Sequence, residues 1–220
     1  MRAVLWDLDG TLVDSETTHD ASLLDVLRAA GHDWPEEVGP LLVGVSMAEA
    51  HALLVDRVGL ALDYGSFVAR RQDAYLARAP GIGWRAGARE ALAWVEAAGL
   101  AWGIVSNSDR VLVDANLRAA GLLRPLLVSV SRNDVRQGKP DAEPYLRAAF
   151  LLGIAPVDCV VVEDSPTGAA AGIAAGMTVL AWPEPHRGDL RFPAGVRLAG
   201  PHDLLARLRH HQRASATSEA

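Results

Sequence analysis

Asp7-Leu8-Asp9-Gly10-Thr11 follows the apolar run Ala3-Val4-Leu5-Trp6 almost at the start of the chain. Side chains two apart on an extended segment point the same way. The pattern therefore predicts a buried strand over 3–6, with Asp7 and Asp9 together at its end and Leu8 turned into the core. Two carboxylates side by side repel unless a cation or a shared proton offsets them. Gly10 permits a sharp turn and leaves room for a ligand against bare amides. The arrangement suits a magnesium ion and a phosphoryl group. It also suits a plain strand-to-loop turn, because Asp and Gly both form turns. Five residues leave both readings open.

Further strands are predicted at 102–105, 126–130, 159–162, 178–181 and 196–198. Most lack polar alternation, which implies burial on both faces of a parallel sheet. Between them lie helical patterns at 88–98, 110–120, 142–152 and 166–175, with Gly99, Gly121, Gly153 and Gly176 as stop signals. Asp109 and Ser165 read as N-caps, and Pro166 sits in a first turn. Strand–helix alternation predicts an α/β protein with a doubly wound, Rossmann-like parallel sheet.

Residues 15–84 break the alternation and read as helices only, at 17–30, 47–58 and 66–79, with Ser46-x-x-Glu49 as a capping box. The expected organisation is an α/β core from 1–14 and 85–210, an inserted all-helical domain over 15–84, and a flexible polar tail over 211–220.

The length, 220 residues, allows one sizeable core or a core with a small second lobe. A net charge of −6 without a basic block argues against a nucleic-acid partner. No apolar run approaches the ~20 residues that span a bilayer. The chain runs from Arg2 straight into a strand, without the apolar stretch of a signal peptide. A cytoplasmic protein without membrane association is expected. Cys159 is the only cysteine, so no intrachain disulfide can form, and its apolar surroundings mark it as a small buried hydrophobe. Of 21 basic residues, Lys139 is the only lysine. Genomic bias toward arginine explains the scarcity. The position, in the tight loop Gly138-Lys139-Pro140, points instead to a site that needs a compact charge and not arginine's wide fork.

In open α/β sheets, ligands bind beyond the carboxyl ends of the strands. That edge would collect Asp7 and Asp9, then Ser106-Asn107-Ser108, then Lys139, then Glu163-Asp164-Ser165. Singly, these are ordinary helix-capping or surface residues. Together they form a hard oxygen cluster of the kind magnesium prefers, with donors and a lysine beside it.

This constellation resembles the haloacid dehalogenase superfamily of aspartate-nucleophile phosphohydrolases. The matching segments are Asp7-Leu8-Asp9-Gly10-Thr11, Ile104-Val105-Ser106-Asn107-Ser108, Gly138-Lys139-Pro140 and Val161-Val162-Glu163-Asp164-Ser165-Pro166-Thr167-Gly168. The likeness runs from residue 1 to about 185, and the helical insertion corresponds to that superfamily's cap. Asp14-Ser15-Glu16 and His19, where the cap begins, resemble the β-phosphoglucomutase and phosphoglycolate phosphatase branch. The resemblance implies a magnesium-dependent phosphatase acting on a small phosphorylated metabolite. Asp7 would be the nucleophile and Asp9 the general acid and base. Magnesium would be held by Asp7, the Asp9 carbonyl and Asp164, with Glu163 reaching it through water. Ser106, Asn107 and Lys139 would bind phosphate. His19, Met47, Arg71 and Arg110 are candidate substrate contacts, and a monomer is expected, with a dimer as the alternative.

The same resemblance supplies rivals. A dehalogenase needs neither the second acid nor the metal, so Asp9 and Asp164 argue against it. A phosphonate hydrolase would need a cap lysine, which this chain lacks. A β-phosphoglucomutase would carry an arginine where Met47 stands and a lysine where Asp109 stands. A non-enzymatic binding protein would have a broken motif, and none is broken. One departure concerns the return to the core: Arg85-Ala86-Gly87 replaces the usual Pro-Gly, which predicts a looser hinge there.

Overall fold

The computed structural model describes residues 1–42, 47–185, 187 and 190–218. In chain order the elements are β1 (Ala3–Trp6), α1 (Glu16–Ala29), α2 (Met47–Val58), α3 (Tyr64–Arg78), α4 (Ala88–Ala97), β2 (Ala101–Val105), α5 (Arg110–Ala119), β3 (Ser129–Val130), α6 (Glu143–Leu152), β4 (Cys159–Glu163), α7 (Pro166–Ala174), β5 (Thr178–Ala181), β6 (Arg197–Leu198) and α8 (Leu204–Ser218). Six parallel strands form one sheet in the order β3-β2-β1-β4-β5-β6. Helices flank it, α6 beside α7 and α4 beside α8.

β1 is fully buried and lies between β2 and β4, with Trp6 opposite both Ile104 and Val162. The chain winds to one side of β1 through β2 and β3, and to the other through β4, β5 and β6. The winding therefore reverses at β1, and open α/β sheets bind ligands beyond the strand ends at such a reversal. Below that edge, Leu5, Val105, Val130, Val161 and Val179 pack with Tyr145, Ala148, Ala169 and Ala171 in one core cluster. Gly172 keeps α7 close to the sheet: a Cβ there would lie 2.7 Å from Val179 Cγ2.

The chain divides into two compact units, Met1–Asp14 with Gly83–Ala220, and Ser15–Ile82. The second is helical. Leu23, Val26 and Leu27 of α1 meet Leu54 of α2 and Phe67 of α3 in its core, with Leu60. α3 starts two residues before the predicted 66 because Asp63 caps it, accepting from the Ser66 amide at 2.9 Å. Ser46, and with it the predicted capping box, lies outside the described residues.

α8 runs to Ser218 through part of the segment expected to fray, with Leu204 and Leu208 buried near its start. Two expectations need correction. The strand predicted at 126–130 shortens to Ser129–Val130, because Leu126 is fully exposed with φ of 64°, a left-handed conformation no strand accepts. The return to the core is not loose. The Arg85 amide bonds Leu12 O at 2.9 Å, and its guanidinium bonds Gly10 O and Trp182 O, each at 2.6 Å, and Pro183 O at 2.8 Å. The same group stacks 3.7 Å above the Trp182 ring. Among the described residues, no helix is long and apolar enough to cross a membrane.

Candidate active site

Asp7 extends β1 by one residue, its amide bonded to Val162 O at 3.0 Å. This places its side chain beside the ends of β2 and β4. Lys139 arrives from the loop before α6. Its ammonium donates to Asp7 Oδ1 at 2.6 Å, Glu163 Oε1 at 2.5 Å and Val105 O at 2.8 Å. An ammonium has three hydrogens, and all three have acceptors. Burial pulls the Lys139 pKa down, but Asp7 and Glu163 outweigh it and hold the group above its ordinary value. Asn107 fixes the lysine loop from β2: its Oδ1 accepts from the Lys139 amide at 2.8 Å and its Nδ2 donates to Lys139 O at 3.0 Å.

Glu163 is completely buried. Besides Lys139 it accepts from Tyr145 Oη at 2.8 Å, Ser165 Oγ at 3.0 Å and the Ser165 amide at 3.3 Å. Gly168 makes room for it, since a Cβ there would lie 1.7 Å from Glu163 Oε1. Asp164 turns the other way, toward the Gly10 turn, and accepts from Thr11 Oγ1 at 3.3 Å. Gly10 has φ of 74°, and a Cβ would meet Asp164 Oδ2 at 2.6 Å. Both the turn and the close approach thus require glycine.

One carboxylate oxygen each of Asp7, Glu163 and Asp164 lies within 4.8 Å of the others. Burial raises the Asp7 pKa well above the usual carboxylate range; Lys139 opposes this, while Glu163, Asp164 and Asp9 reinforce it. Burial and then Glu163 raise Asp164 to about 7. Three closely spaced acids with one lysine between two of them leave negative charge uncompensated, which is the electrostatic condition a divalent cation fits. Glu163 is already committed to four donors, so Asp7 and Asp164 are the acids best suited to direct ligation.

Asp9 stands apart from that cluster. Its Oδ1 accepts from Asn116 Nδ2 at 2.7 Å, and its Oδ2 from Ser108 Oγ at 2.8 Å and Ser106 Oγ at 3.1 Å. Ser106 is buried and also accepts from the Ser108 amide at 3.0 Å.

Of the remaining candidates, His19, Met47 and Arg71 belong to the helical unit and Arg110 to the core unit. Within the helical unit, Arg71 donates to Met47 Sδ at 3.0 Å, and the His19 ring packs 4.5 Å from that of Tyr75. In the core unit, the Arg110 guanidinium is engaged by Asp134, by Ser129 Oγ at 2.8 Å and Ser129 O at 2.9 Å, and by Asp114 at 3.3 Å. Trp84 packs in the same unit, donating to Ala120 O at 3.1 Å.

Sequence reasoning missed Tyr145, Asn116 and the hydroxyl of Ser108 as partners of the acids, and Arg85 as a charge that acts on Asp164. One signal was readable. Asn116 is a polar residue among Leu112, Val113, Ala115 and Leu117 on the buried face of α5, and such a group requires a partner.

The family model of the haloacid dehalogenase-like hydrolases matches residues 1–176. The chain is 35% identical over 180 residues to hexitol phosphatase A of Escherichia coli strain K12, covering 82% of each. It is 29% identical over 218 residues to the N-acetylmuramic acid 6-phosphate phosphatase of Pseudomonas aeruginosa, covering 93% of each. Among solved structures, a haloacid dehalogenase family hydrolase of Deinococcus radiodurans with bound phosphate and sodium superposes with a TM-score of 0.73 at 31% identity, over 98% of this chain and 96% of that one. CbbY of Rhodobacter sphaeroides in complex with phosphate gives 0.79 at 25% identity, over 90% and 93%. The chain therefore belongs to the haloacid dehalogenase-like hydrolases, and with them it is a hydrolase acting on phosphate esters.

Proposed function

We propose that this protein is a magnesium-dependent phosphatase that hydrolyses a small sugar or polyol phosphate through an aspartyl phosphate on Asp7. The observation that carries the reading is the Asp7 carboxylate, paired with buried Lys139 and grouped with Asp164 at the switch point of the sheet. A phosphoryl group is triply flanked by oxygen, and a nucleophile for it must stay anionic while buried. Lys139 favours the charged form of Asp7 against the burial that raises its pKa, and a bound magnesium ion would supply the remaining positive charge.

Asp7 attacks phosphorus as the ester P–O bond breaks, and the leaving oxygen takes a proton from Asp9. Water then attacks the aspartyl phosphate and gives its proton to Asp9, which releases inorganic phosphate and restores Asp7. Ser106, the Asn107 amide and Lys139 are the proposed phosphate donors, with Ser106 and Lys139 each exchanging one of its present acceptors for a phosphate oxygen. Asp7, Asp164 and the Asp9 carbonyl would hold the magnesium, which when bound offsets negative charge on the acids and on the phosphoryl oxygens. The substrate class follows from the relatives, whose names include a hexitol phosphatase and an amino-sugar phosphate phosphatase. Met47 and Asp109, where a mutase would carry cations, weigh against a bisphosphate intermediate.

The test is a panel of phosphorylated metabolites assayed with magnesium and with a chelator. Turnover of a sugar or polyol phosphate that requires magnesium and vanishes in Asp7→Asn is expected. Substantial activity in a folded Asp7→Asn variant would refute the assignment.

A further inference from the structure

Three donors from two elements converge on the carboxylate of Asp9. Ser106 and Ser108 come from the turn after β2, and Asn116 from the second turn of α5. Asn116 is fully buried on a face otherwise built from Leu112, Val113, Ala115 and Leu117. An amide in such a place costs free energy unless it is hydrogen-bonded, and a leucine would pack the face without that cost. Its bond to Asp9 spans 107 residues of sequence and takes the carboxylate oxygen that the two serines leave.

We propose that Asn116 and Ser108 are positioning residues for Asp9: they set where its carboxylate points, and so how well it hands a proton to the departing oxygen. This rests on the reading of Asp9 as general acid. In that step the P–O bond to the leaving group breaks, its electron pair stays on the leaving oxygen, and the proton on Asp9 moves to that oxygen. Neither Asn116 nor Ser108 exchanges a proton with substrate. Their contribution is orientation, to which proton transfer is sensitive over fractions of an ångström.

The consequence is a dependence on the leaving group. Phenyl phosphate departs as a phenolate about as basic as that of tyrosine, with pKa about 10, and needs the proton. The leaving group of p-nitrophenyl phosphate is far less basic and departs without it. The experiment measures kcat/KM, which reports the phosphorylation step, for both esters in the full-length protein with saturating magnesium. Asn116→Ala should lower the value for phenyl phosphate about 10-fold or more, and that for p-nitrophenyl phosphate by at most about 3-fold, within the share general acids contribute. Ser108→Ala, at a half-buried site that tolerates the change, should shift the ratio in the same direction by less. Asn116→Ser, which restores a donor, should recover part of the ratio.

Equal losses on both esters in Asn116→Ala and Ser108→Ala would overturn the proposal and leave the phosphatase reading standing. Asp9→Ala separates the two. It should show the largest difference between the esters. If it shows none, the acid role of Asp9 falls, and the positioning role falls with it.

Discussion

Lys139 is where residue chemistry is most exposed to test. Its three bonds to Asp7, Glu163 and Val105 O are directed singly, and the side chain is buried. A planar guanidinium cannot reproduce three such directions in that space. Lys139→Arg should therefore keep the charge yet lose about 100-fold or more in kcat, measured on any accepted substrate. Lys139→Met should unfold about 3 kcal/mol more easily in urea at neutral pH, because it strands Asp7 and Glu163 as buried charges without a counter-ion. Burial also raises the Cys159 thiol to about 11. The alkylating species is the thiolate, so the folded protein should resist iodoacetamide at pH 8 and react once unfolded, as intact mass would show. Lys139 was legible in the sequence as a lone lysine in a tight loop. Tyr145 was not, because nothing local distinguishes a core tyrosine from one that bonds Glu163 18 residues away.

At the scale of elements, Arg85 shows how a departure from a family pattern is absorbed. The absent proline implied a looser hinge. A guanidinium can instead do covalent geometry's work by bonding several carbonyls at once, and here it ties the Gly10 turn to the segment after β5. Its charge also lowers the Asp164 pKa, opposing the effect of burial. Arg85→Ala would leave two buried carbonyls and one part-buried carbonyl short of a donor and should cost about 3 kcal/mol in urea unfolding. Arg85→Lys, with a point charge and no stacking plane, should recover only part of it. Element boundaries were otherwise legible to within two residues wherever a glycine or cap marks the end, as at Gly153 and Ser165. They failed where the backbone conformation of a single residue decides, as at Leu126.

For the whole molecule, the site exists only because the sheet winds outward from β1 in both directions. Residues 7, 106, 139 and 164 meet at one edge although more than 150 positions separate the first from the last. Strand periodicity and the order of the motifs made that edge readable. The pairing of side chains across it was not, since each bond links segments whose spacing carries no period. A cation held by Asp7 and Asp164 ties the first strand to the fourth, so magnesium should stabilise the fold. At about 100 times its dissociation constant the gain is about 2.7 kcal/mol, and it should vanish in Asp164→Ala when thermal unfolding is followed with magnesium and with a chelator.

The central claim is that Asp7 carries the phosphoryl group. Acid quenching of the enzyme during turnover, followed by peptide mass spectrometry, measures this directly. The account predicts one phosphoryl group on the peptide containing residue 7, lost to hydroxylamine as an acyl phosphate is and missing from Asp7→Asn. A phosphoryl group on any other residue would contradict it.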